Sequence, residues 1–116
     1  MDECLAKALE ISNLRFTQSL ERQRLKEKLK NDLLFAHNGG QFYIDRAFIA
    51  FLGAITPQIG NSETVLLDDR ENPVLIKDLS EFTKTVMNQY FAVTNQYLLE
   101  LTALRQKRSV QSIVGL

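Results

Sequence analysis

Apolar residues recur at helical spacing over both ends of the chain and in short β-like runs between them, and that alternation predicts the architecture. From Asp2 to about His37 no Pro or Gly interrupts a stretch of good helix formers, and Asn38-Gly39-Gly40 then supplies a stop. This predicts one long helix closed by a left-handed glycine cap. Within it Leu5, Leu9, Phe16 and Leu20 form a narrow stripe, which Leu25, Leu29, Leu33 and Ala36 continue after a slip near Ser19–Arg24. Glu21, Arg22, Arg24, Lys26, Glu27, Lys28 and Lys30 flank it, so the stripe reads as a coiled-coil-like seam with one wet side.

The middle of the chain changes period. Gln41-Phe42-Tyr43-Ile44 is aromatic and β-branched and suits a strand, after which Asp45 caps a helix from Arg46 to about Ile55, with Pro57 and Gly60 ending it. Phe48, Ile49, Phe51, Leu52 and Ile55 make this short helix apolar over most of its circumference, as expected of the central packing piece of a small head. Residues 63–67 and 74–76 are apolar runs joined by the charged turn-forming segment 68–73, which predicts a β-hairpin. An isolated hairpin is marginal, so a three-stranded antiparallel sheet with strand 41–44 is expected.

Asp78 or Ser80 can cap a last long helix over about 79–108. Phe82, Val86, Tyr90, Val93, Tyr97, Leu101 and Leu104 recur at intervals of 4, 4, 3, 4, 4 and 3, an eleven-residue pattern of nearly straight packing. Met87, Phe91, Leu98 and Leu99 widen this face beyond what one antiparallel neighbour can cover. Residues 109–116 form an apolar tail. Met87, Phe91 and Leu98, with Val110, Ile113, Val114 and Leu116 of the tail, are therefore the candidate partner-binding residues. The predicted fold is α+β, mostly α: two long helices, antiparallel when folded back on each other, flank a small head (about 41–77) within one domain, and the same stripes serve equally if the helices splay and pair with other copies. In the folded-back arrangement Asp2, Glu3 and Glu10 lie near Arg105, Lys107 and Arg108.

Fourteen Lys and Arg balance fourteen Asp and Glu over 116 residues, so no overall field favours nucleic acid, membrane or an acidic substrate. One cysteine excludes an internal disulfide and a cysteine-cluster metal site and fits a reducing compartment. The start of the chain has no signal-peptide pattern, and no apolar run approaches a spanning helix, so neither secretion nor membrane insertion is expected.

Candidate chemistry is sparse. His37 has no second His or Cys nearby and reads as a helix C-terminal histidine meeting the last carbonyls. Asp68, Asp69 and Glu71 lack the spacing of a calcium loop and read as a solvated turn. Cys4, near acidic residues that disfavour a thiolate, reads as a seam residue. The local surplus of base on the first helix gives Arg22, Arg24, Lys26, Lys28 and Lys30 as candidate phosphate contacts, although no aromatic stacking platform accompanies them. No catalytic residue, cofactor or metal site is predicted.

Ala6-Lys7-Ala8-Leu9-Glu10, Asn38-Gly39-Gly40-Gln41-Phe42, Val65-Leu66-Leu67-Asp68-Asp69, Tyr90-Phe91-Ala92-Val93-Thr94-Asn95-Gln96-Tyr97 and Lys107-Arg108-Ser109-Val110 span nearly the whole chain. In these segments it resembles small uncharacterised proteins of large contractile-tailed phages, particularly those infecting marine cyanobacteria. The resemblance implies a virion-assembly or scaffold-associated protein of the phage head, acting in the host cytoplasm or virion, and carries no site residues. The leading expectation is a non-enzymatic assembly protein that binds copies of itself or other phage structural proteins. The alternatives are a chaperone-like helical clamp and a nucleic-acid accessory factor using the basic residues of the first helix.

Overall fold

The computed structural model describes the backbone of residues 2–113 and the side-chain surroundings of residues 2–107. The elements, in order, are α1 (Asp2–Asp32), β1 (Leu34–His37), β2 (Gly40–Tyr43), α2 (Arg46–Ile59), β3 (Thr64–Leu67), β4 (Pro73–Ile76) and α3 (Leu79–Ile113). The chain is mostly helical, with a long first and a long last helix as expected. It divides into two compact units: Lys30–Thr94, the head, and Met1–Leu29 with Asn95–Leu116, a helical pair.

The first helix stops five residues early. Residues 34–37, expected to be helical, form β1 and pair antiparallel with β2, Leu34 opposite Tyr43 and His37 opposite Gly40. Asn38 and Gly39 are the two turn residues, with φ of 48° and 82°. Positive φ at both central positions defines the primed turn whose twist matches a hairpin, and Asn-Gly is its preferred sequence. The dipeptide expected to cap a helix therefore closes a β-hairpin. His37 consequently lies in a strand rather than at a helix end.

Two two-stranded sheets replace the expected three-stranded one. The β3–β4 hairpin forms as anticipated, Thr64 opposite Ile76 and Leu67 opposite Pro73. Its turn, rather than a strand, meets β2. Ile44 N–H donates to the Leu33 carbonyl at 2.9 Å. Hydrogen-bonded pairs alternate along an antiparallel ladder, so the Gln41 and Tyr43 amides point away from β1. Asp68 Oδ2 accepts from the Gln41 amide at 3.2 Å and Asp69 Oδ1 from the Tyr43 amide at 2.7 Å. The Asp69 amide returns a bond to the Gln41 carbonyl at 2.9 Å. Two carboxylates thus occupy the edge that a third strand was expected to take.

The head core holds Leu33, Phe42, Ile44, Leu52, Leu66, Val74, Ile76, Leu79, Phe82, Val86 and Val93. Phe82, not α2, is the centre of packing: its ring lies 4.9 Å from His37, 5.5 Å from Phe42, 5.9 Å from Phe35 and 6.4 Å from Phe48, all edge-to-face. Only Leu52 of α2 is fully buried, and Phe51 is exposed. Asp45 caps α2 as predicted, accepting from the Phe48 amide at 2.9 Å. The helix runs through Pro57 to Ile59 instead of ending at Ile55. Proline there leaves the carbonyl of Gly53 without its helical donor, a cost that solvent offsets because Gly53 is exposed. Gly60, at φ 64°, closes the helix onto the Thr56 carbonyl. Thr56 donates to the Leu52 carbonyl at 2.6 Å, so the buried Thr83 hydroxyl, 2.9 Å away, donates to Thr56 and is satisfied.

Asp78, of the two candidate caps, receives the Glu81 amide at 3.1 Å at the start of α3. The predicted α3 stripe is borne out in the head, where Phe82, Val86 and Val93 are buried. The helix also continues past 108, so residues 109–113 are helical and not a separate tail.

Candidate interaction surfaces

In the helical pair, α1 and α3 run antiparallel. Lys28 Nζ lies 2.6 Å from Glu100 Oε1, and Arg15, Gln18 and Arg22 share a groove with Leu101 and Leu104. Glu100 is held below its usual range, first by the Lys28 hydrogen bond and then by Gln96. The expected pairing of Asp2, Glu3 and Glu10 with Arg105 and Lys107 does not form among the described residues, since this register carries the start of α1 past Ile113; Arg108 lies outside the described side chains.

The residues of α1 half-buried in this pair are Ile11, Leu14, Gln18, Glu21, Leu25 and Leu29. Of the predicted seam, Leu25 and Leu29 are half-buried and Leu33 is buried, whereas Ala36 is exposed, and so are Leu5, Leu9, Phe16 and Leu20, at 63%, 57%, 66% and 52%. At about 100° per residue these four fall within an arc of roughly 60°, centred roughly 170° from the half-buried row. The helix thus has two apolar faces, and α3 can cover only one of them. No residue of α1 is fully buried. Cys4, expected in the seam, is exposed.

The basic candidates do not form one face. Arg22, Arg24, Lys26, Lys28 and Lys30 sit two residues apart, so successive side chains step by about 200° around the helix. Lys28 is engaged by Glu100. A different set converges: Arg15 and Arg22 of α1 and Arg105 of α3 line one groove of about 220 Å3 with Gln18, Ser19, Leu101 and Leu104, and no carboxylate is among its described lining residues. The sequence concealed this set because Arg105 is more than eighty residues away from its neighbours.

In the head, an open groove of about 550 Å3 runs past Phe35, His37, Leu75, Asp78, Glu81 and Phe82. His37 meets Phe82 edge-on and stacks 6.2 Å from Phe35, and no group of three His, Cys, Asp or Glu residues able to hold a metal occurs among the described residues. On the opposite turn, Asp68 Oδ1 accepts from the amides of Asn72 at 2.8 Å and Arg70 at 2.9 Å. The Asn72 bond, ahead of those from Gln41 and Arg70, holds the Asp68 carboxyl below its ordinary value of 3.8. The segment is a turn exposed at residues 69–72, as read, and its two aspartates also latch it to β2.

Of the predicted partner-binding residues, Phe91 and Leu98 are exposed and Met87 is half-buried. Val110 and Ile113 fall in α3 with side chains outside the described set, and Val114 and Leu116 lie outside the described residues. Compared with known protein families, characterised proteins and solved structures, the chain matches none. No helix among the described residues is long and apolar enough to cross a membrane.

Proposed function

We propose that this chain is a non-enzymatic assembly protein of a contractile-tailed phage, and that it works by helix-mediated association with a second copy of itself. The observation that supports this reading is the exposed row Leu5, Leu9, Phe16 and Leu20 on the side of α1 away from α3. A symmetric pairing through that row covers it twice, once from each copy. Eight large side chains, already part-covered, contribute roughly 7–14 kcal/mol gross at about 1.5–3 kcal/mol for each full burial. Association costs about 4–15 kcal/mol in lost freedom. The two are comparable, so the association is reversible and depends on concentration, as suits a component that joins and leaves an assembly. Light scattering over a wide concentration range tests it: the weight-average mass rises toward twice that of the monomer, and a flat monomeric mass contradicts the reading. Recovery with head precursors from infected cells supports the phage placement, and absence from every precursor contradicts that part alone.

A second reading, a nucleic-acid accessory factor, is favoured by one observation, the groove that Arg15, Arg22 and Arg105 line with no carboxylate among the described residues. Guanidinium clusters of this kind bind phosphate oxygens in bidentate fashion. DNA binding that weakens steeply with salt and is lost in Arg22→Glu supports it. Binding that is absent, or indifferent to Arg22 and to salt, excludes it.

A further inference from the structure

Four strand edges border the two small sheets of the head, and they are not finished alike. On β2 the outward amides of Gln41 and Tyr43 are taken by Asp68 and Asp69. On β4 the phase follows from the turn: the Asp68 amide donates to the Asn72 carbonyl at 3.0 Å, so Leu66 with Val74 and Thr64 with Ile76 are the hydrogen-bonded pairs, and residues 73 and 75 face outward. Pro73 has no amide to offer there, and the outward Leu75 carbonyl accepts from Asn38 Nδ2 at 3.0 Å. Side chains take main-chain groups on both edges, and among the described residues the Leu75 amide is the one outward donor they leave open.

The same phase turns the amides and carbonyls of Val65 and Leu67 out from the free side of β3, where no partner meets them among the described residues. Their side chains, 57% and 62% exposed, lie on the outer face of the hairpin, and β3 carries no Lys, Pro or bulge of the sort that protects an edge. The preceding residues 61–63 are also exposed, so the edge runs on beyond the strand. The outward groups of β1 are those of Leu34 and Ala36, and this edge cannot run on as a strand before Leu34, because α1 ends at Asp32.

We infer that β3 is a docking edge that takes an extended segment of another protein as an added strand, one whose apolar residues are flanked by Lys or Arg. The main-chain groups of Val65 and Leu67 supply the pairing, as in other strand additions. Charge selects the flanks: Glu63, Asp68, Asp69 and Glu71 border the strand against Arg70 and against Lys77, which follows β4 at the Glu63 end of the hairpin, so the surplus is acidic. A second copy brings the same acidic surplus against its own, which disfavours self-pairing here.

The probe is the peptide Lys-Lys-Val-Thr-Val-Thr-Val-Lys added to the full chain, with amide hydrogen exchange read residue by residue. At saturation the Val65 and Leu67 amides slow by at least about tenfold while Leu66, already bonded in its ladder, changes little. Val65→Pro removes an outward donor without taking a ladder bond, and weakens peptide binding about threefold or more. Leu67→Lys keeps the hairpin and repels the same peptide, so a folding failure in the proline variant does not spare the inference. No protection at Val65 and Leu67 overturns it. Equal binding of a Glu-flanked peptide overturns the charge argument, and protection that grows with protein concentration alone overturns the choice of occupant in favour of a second copy.

Discussion

Gly40→Ala is expected to destabilise the head although the position is neither in a helix nor at positive φ. Gly40 is buried in β2, and a methyl group there runs into the Val74 side chain and comes within 3.4 Å of Asp68 Oδ2. Val74 is itself buried and belongs to the other hairpin, so neither strand can move aside without disturbing its own ladder. Overpacking of this sort costs about 1–3 kcal/mol. Val74→Ala alone removes two methyl-sized groups at ~0.8 kcal/mol each plus a cavity term, about 2–3 kcal/mol in all. Combined, the two changes relieve one another: the double variant is more stable than the sum of the single losses implies by about 1 kcal/mol or more, read from urea unfolding with an unchanged slope. Additivity within about 0.5 kcal/mol refutes the close approach of the two hairpins. Gly39→Ala is the contrasting case, since its added methyl meets nothing and its cost arises from φ 82°, so Val74→Ala leaves that cost unchanged.

Phe82→Ala removes the ring that four others meet and costs about 3–5 kcal/mol, the largest loss expected from one truncation in the head; a loss below about 1 kcal/mol in chemical unfolding contradicts its central place. The latch of Asp68 on β2 sets a pH dependence. Its carboxyl lies below 3.8 in the folded state, so the stability it contributes is present above that value and is lost as pH falls through the lowered folded value. Protection of the Asn72 and Gln41 amides, relative to their intrinsic exchange at each pH, therefore falls on acidification through this window, and Asp68→Ala removes that step; an unchanged step in the variant assigns it elsewhere. Lys28→Ala leaves Glu100 with Gln96 alone and shifts its titration upward toward 4.5, measured by carboxyl carbon chemical shifts, with no change expected at Asp68.

Parts of this fold are legible in the residues because local and tertiary signals agree. The recurrence from Phe82 to Leu104 gives the buried face of α3, and Asp45 and Asp78 occur where an acceptor must meet free amides. Elsewhere the signals conflict. Leu34-Phe35-Ala36 continues a helical sequence well, and the cap reading of Asn38-Gly39 competes with the hairpin reading. The pairing with Phe42, set against Phe82 far along the chain, decides for the hairpin. On α1 the leucines and phenylalanine of the outer row outweigh the row of Ile11 and Leu14, which includes Gln18 and Glu21, so hydrophobic strength pointed to the wrong face as far as Leu20 and to the covered one only from Leu25 on. Asp68 shows its turn-closing role locally, toward the Arg70 and Asn72 amides, but the hold that Asp68 and Asp69 have on β2 is hidden, because the Gln41 and Tyr43 amides belong to a strand more than twenty residues earlier.

The claim on which the account rests is that the outer row of α1 is where two copies meet. Sedimentation equilibrium on the unaltered chain, Phe16→Glu and Thr17→Glu tests it directly, for both variants add one charge to exposed neighbouring positions and only the first lies in the row. The unaltered chain and Thr17→Glu are expected to associate alike while Phe16→Glu stays monomeric at every concentration. Equal association in all three, or none in any, contradicts it.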